Sequence, residues 1–134
     1  MRLRLVLSLA LLAAATSAAA ENWQPVPGEP NNYFDSDFAR VDQASGMVVL
    51  RQASGRPSGS GYKDWPAGKS PILVYAVDCA ANVYLDLGID MTGAGGLPKG
   101  WRNGEKIDDI DLGVGHAGKV ACEKKASLPT VALP

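Results

Sequence analysis

Little in this chain of 134 residues speaks of chemistry, and the shortages narrow the field first. It has one histidine, His116, and two cysteines, Cys79 and Cys122. One histidine with two cysteines makes a poor zinc site. Charge of one sign is also missing. The formal net charge is −1 over the whole chain, so there is no concentrated basic surface for nucleic-acid phosphates. Aromatic residues are only 7 % of the chain. There is no Asn-x-Ser/Thr acceptor for N-glycosylation, and no internal repeat.

The motifs that would announce an enzyme also fall short. Gly68-Lys69-Ser70 resembles the end of a phosphate-binding loop, but Lys63 stands where its first glycine should be. Pro71 follows, where a helix should begin. Asp109-Ile110-Asp111-Leu112-Gly113 has carboxylates at calcium-loop spacing, yet its glycine comes one place early and Val120 replaces the glutamate. It reads as an acidic turn or a helix start. Gly93-Ala94-Gly95-Gly96 lies outside any βαβ pattern and reads as a hairpin loop. Ser58 and Ser60 lack the flanking glycines of a nucleophile elbow. His116 sits between glycines, more like a surface loop residue than a base, with a haem or metal contact as the alternative. The chain is expected to be non-enzymatic and to need no cofactor.

What is present begins at residues 1–20. Arg2 and Arg4 precede an apolar run from Leu5 to Ala14, and Ala18, Ala19 and Ala20 follow, which is the pattern of a secretory signal peptide. The run is short for a membrane span. Of the 13 basic side chains, Arg2 and Arg4 fall in this leader, which leaves 11 against 14 acidic ones, a net charge of about −3. Ala20 is followed by Glu21 rather than cysteine, so no lipid anchor is expected. The mature chain is expected to be soluble and exported, in the periplasm, outside the cell or on its surface. In an oxidising compartment Cys79 and Cys122 read as one disulfide, with free thiols or a metal pair as alternatives. A loop of roughly 43 residues closed this way contributes about 4 kcal/mol in the chain-entropy model.

The body, residues 21–125, reads as one domain. Trp23 and Val26 can anchor a first short strand, and Tyr33-Phe34-Asp35 a second before an Asp-Ser-Asp turn. Phe38-Ala39-Arg40-Val41 is open between a β piece and one helical turn. Met47 to Gln52 is β-rich and bounded by turn residues. Residues 53–70 form an irregular loop, in which Tyr62 and Trp65 are the candidate partner surface. Pro71 to Cys79 is almost wholly apolar, a strand covered on both faces, with Leu73, Tyr75, Val77 and Cys79 toward the core. After a tight turn at Ala80-Ala81-Asn82, residues 83–90 alternate cleanly and should pair antiparallel with that strand. Trp101-Arg102 either resumes a strand or caps the core edge. Residues 113–122 are ambiguous. Val114, Ala117 and Ala121 form a helical stripe, while Gly113, Gly115 and Gly118 each cost a helix about 1 kcal/mol. Residues 126–134, with Pro129 and Pro134, are expected to be a flexible tail. The sum is an α+β fold: a small antiparallel sheet with a C-terminal helix stapled to it by one disulfide.

The chain resembles the surface-adhesin E (protein E-like) family of small exported bacterial proteins. The resemblance rests on Trp23, Val26, Tyr33-Phe34-Asp35, Met47-Val48-Val49-Leu50, Val74-Tyr75-Ala76-Val77-Asp78-Cys79, Val83-Tyr84-Leu85-Asp86, Trp101 and Cys122, and spans Trp23 to Cys122. It implies the same sheet-plus-helix fold and a binding role; its namesake is an adhesin for host matrix proteins that has been associated with haem. A protein partner, from the host matrix or the envelope, is therefore expected. The alternatives are a structural or accessory envelope protein and, third, a haem carrier using His116. An exposed strand edge also makes a dimer an open option.

Overall fold

In a computed structural model of the protein, the described residues are 22–54, 72–89 and 96–134. Among them, eight strands form one sheet: β1 (Trp23–Val26), β2 (Glu29–Asp35), β3 (Arg40–Asp42), β4 (Val48–Ser54), β5 (Ile72–Asp78), β6 (Val83–Ile89), β7 (Ile107–Asp108) and β8 (Thr130–Val131). Two short helices, α1 (Ile110–Gly113) and α2 (His116–Glu123), come late in the chain. Turns of 3₁₀ type cover Trp101–Asn103 and Lys125–Ser127. The strands run in the order β1-β2-β4-β5-β6-β7, each antiparallel to its neighbour. The far half of β4 is paired by β3, and β8 lies parallel to β3. The expected class holds: an antiparallel sheet, a C-terminal helix, and Cys79 at the end of β5 joined to Cys122 in α2, with Cα atoms 5.6 Å apart.

The alternation of β4 and β5 explains why both faces are covered. Val48, Leu50, Tyr75 and Val77 point to α1 and α2, where they meet Ile110, Val114, Ala117 and Ala121. Leu73 and Cys79 pack on the same side. Val49, Val74, Ala76 and Leu85 point the other way, onto Phe38, Met47 and Trp101. Trp101 thus caps the core edge from a 3₁₀ turn rather than resuming a strand. Phe38 closes the same layer from the turn between β2 and β3. Of the segment left open, Arg40 and Val41 are β, while Phe38 and Ala39 belong to the turn before them. The turn at Ala80–Asn82 is made by Asp78, whose Oδ1 accepts from the amides of Ala80 and Ala81, with Asn82 at a φ of 54°.

Two expectations are corrected. Residues 126–134 are not a flexible tail: β8 pairs with β3, the Val41 amide donates to the Pro129 carbonyl, and the Gln43 amide donates to the Val131 carbonyl. Their prolines occupy positions where this pairing uses only carbonyls, so the loss of an N–H costs no hydrogen bond there. Ala53 and Ser54, expected in the irregular loop, belong to β4, and residues 55–70 lie outside the described residues.

The glycines that argued against a helix are what let it form here. A Cβ on Gly113 would overlap the Tyr84 ring, and one on Gly118 would overlap Ile110. Backbone of α1 and α2 therefore lies closer to β6 and to each other than any side chain allows. The apolar burial that this close approach permits outweighs the weak helix propensity of an eight-residue segment.

Two outcomes follow for stability. Gly113→Ala improves helix propensity by about 1 kcal/mol but overpacks Tyr84, at a cost of about 1–3 kcal/mol. Urea unfolding should report a net loss with a shifted midpoint. Reducing the Cys79–Cys122 bond, which closes a separation of 43 residues, should lower the unfolding free energy by about 4 kcal/mol in the same assay.

Candidate functional site

The interior of the sheet carries two carboxylates with no solvent exposure, Asp35 and Asp42. Each needs a cation and further donors to stay ionised there. Asp35 ends β2 and pairs with Arg51 of β4, itself 1 % exposed. Its Oδ1 accepts from the amides of Asn22, Asp37 and Phe38, which shapes the turn into β3. The Arg51 guanidinium lies 4.4 Å from the Phe38 ring centroid, a cation–π contact.

Asp42 ends β3. Its Oδ1 accepts from Arg102 Nη2 at 2.7 Å, and its Oδ2 from Arg102 Nε at 2.7 Å. Oδ2 also accepts from the Ser45 amide and hydroxyl. The Arg102 fork holds the Asp42 carboxyl well below the usual carboxylate range, with Ser45 adding to it and burial opposing it. Arg102 stacks 4.6 Å from the Trp101 ring centroid and donates from Nη2 to the Leu133 carbonyl at 2.8 Å. Trp101 Nε1 donates to the Pro134 carbonyl at 3.0 Å. A salt bridge, a turn and the last residues of the chain are thus one connected network.

His116 starts α2 and is exposed. Its amide donates to Glu29 Oε1 at 3.0 Å, and its Nδ1 lies 2.9 Å from the Pro27 carbonyl. Glu29 also accepts from Asn32 Nδ2. The His116 amide holds the Glu29 carboxyl below its ordinary range, helped by Asn32, while burial opposes it. Gly115 just before takes a φ of 65°, and a Cβ there would sit 2.6 Å from Glu29 Oε1. These groups lock the β1–β2 hairpin to the helix start. Among the described residues, no cluster of three or more His, Cys, Asp or Glu side chains is placed to hold a metal.

Tyr62 and Trp65, the candidate partner surface, lie outside the described residues. The described surface instead presents an open strand. β7 pairs with β6 only at Val83 and Tyr84, so Leu85 to Ile89 have no outer partner among the described residues. Ile89 is 51 % exposed at one end of this stretch, and Ile107, 37 % exposed, flanks the other. A bulge lies between, where the β5–β6 register slips and Gly88 adopts a φ of 86°. The Gly88 amide donates to the Asp86 carboxylate within it. The clean alternation of residues 83–90 carried the signal for this strand, but not for which of its edges stays open.

No family model, no curated protein and no solved structure matches this chain. No helix among the described residues is long and apolar enough to cross a membrane.

The electrostatics set a pH dependence. The folded-state pKa values of Asp42 and Glu29 lie below their unfolded values near 4, so their contribution is full above that range and is lost as pH falls. The unfolding free energy should drop steadily from about pH 5 to pH 2. Asp42→Asn should flatten that profile, as read by urea melts across the range. Arg102→Ala should speed amide hydrogen exchange at Val41 and Gln43, the two donors to residues 129 and 131.

Proposed function

We propose that this chain is an exported, non-enzymatic binding domain of the surface-adhesin E type that takes a protein partner by strand addition at the open edge of β6. The observation that carries the reading is that edge: backbone from Leu85 to Ile89 without an outer partner among the described residues, bracketed by exposed Ile89 and Ile107. An extended segment of a partner would supply the missing backbone hydrogen bonds, and the two isoleucines would give it apolar anchors. The Asp86–Gly88 bulge twists this edge and disfavours indiscriminate pairing, so it favours a partner of matching register. Export is supported by the signal-like leader and by the disulfide, a bond that persists in oxidising compartments. The partner class is a host matrix or bacterial envelope protein, and the location is the periplasm or the cell exterior.

The test is capture of envelope-extract proteins and of an arrayed set of matrix proteins by the purified mature domain. Ile89→Lys and Ile107→Lys are surface changes and should shift stability by no more than about 0.5 kcal/mol. Both should abolish capture. Equal capture by the parent and both variants would place binding elsewhere and overturn the reading, as would capture of nothing by the parent.

A further inference from the structure

The opposite side of the sheet offers a second, differently built strand site, and it is already filled. Residues 129–134 run along β3, held through their carbonyls. Val41 and Gln43 amides donate to Pro129 and Val131 at 2.9 and 2.8 Å. Arg102 donates to Leu133 and Pro134, and Trp101 Nε1 also reaches Pro134. The Leu133 side chain packs against the second core layer. Every donor named belongs to the body of the domain, and every acceptor to the segment's backbone. Asp42, with no exposure of its own, fixes the Arg102 fork that does much of this work. The site is therefore pre-organised by the body and reads an extended backbone with one apolar anchor.

We propose that this β3 edge is a strand-acceptor site that exchanges its own segment 129–134 for the same segment of a second copy, giving a strand-swapped dimer. The occupant in trans is the one chain already seen to fit, because a swapped copy makes the same contacts. The connection that must reorient is short. The 3₁₀ turn Lys125–Ser127 has no buried residue, so straightening it uncovers little. An open surface recess of about 510 Å³, lined by Val41, Cys122, Glu123, Leu128 and Thr130, lies beside the segment's start. β8 itself pairs with only two residues, Val41 and Asp42. Such a small unit opens more readily than the central strands. In cis the segment competes at an effective concentration in the millimolar range, so dimer grows with protein concentration. This exchange is independent of the β6 edge.

The test shortens the connection. Deleting residues 125–127 from the full chain leaves 129–134 unable to reach its own edge, and sedimentation should then find a dimer at micromolar concentration where the parent is monomeric. Leu133→Asp in the shortened chain should return it to monomer. A shortened chain that folds but stays monomeric overturns the proposal. So does a dimer that survives Leu133→Asp, which would point to another interface such as β6. If the shortened chain does not fold, unshortened variants decide. Full-length Leu133→Asp keeps an intact acceptor, and full-length Arg102→Ala keeps an intact segment. Mixed at millimolar concentration they should form a one-to-one complex that neither forms alone. Two unmixed monomers would overturn the proposal.

Discussion

The pairing of Asp42 with Arg102 is the constraint on which the lower half of this domain depends. A carboxylate removed from water must be neutralised by fixed donors, and Asp42 has four such contacts. Two come from Ser45 and shape the β3–β4 turn. Two come from a side chain 60 residues further on, which ties the 3₁₀ turn at Trp101 to that corner. From Arg102 the network continues into the backbone of Leu133 and Pro134. Asp35 and Arg51 do the equivalent work at the upper half of β4, where β2 gives way to β3. Each half of the central strand's edge is thus terminated by one buried carboxylate.

The sheet treats its margins differently. Pro25 lies in β1 and cannot donate outward, and the β1–β2 register slips beside it, so that margin is blunted. The β3 margin is covered by β8. The outer side of β6 is left as unpaired backbone between two exposed isoleucines among the described residues. Among the described residues, that margin keeps a run of strand backbone without a neighbour, Leu85 to Ile89.

Much of this was legible in the order of residues. The alternation in 83–90 and the apolar run to Cys79 marked β5 and β6 because a pleated strand imposes a period of two. The paired cysteines marked the staple. The helix near residues 116–123 was only half visible: its glycines register as a local cost, and the close approach to Tyr84 and Ile110 that offsets it is a tertiary fact. Asp35 was read only as the end of a strand, and nothing local in Asp35, Asp42 or Arg51 distinguishes a charge with a distant partner from one facing water. The ordering of residues 126–134 depends on Arg102 and Trp101, and so was invisible for the same reason. His116, read as a loop residue, opens α2 and holds a hairpin.

The disulfide also defines a mechanical path. A pull applied along the chain passes from Cys79 to Cys122 through the sulfur bridge, bypassing the 43-residue separation between them. About 150 Å of contour is thereby hidden from extension. β6, β7 and the Trp101 turn all lie within that hidden length. Tension applied outside the two cysteines falls on the strands before Cys79 and after Cys122, while β6 rides inside a covalent ring and bears none of the load directly.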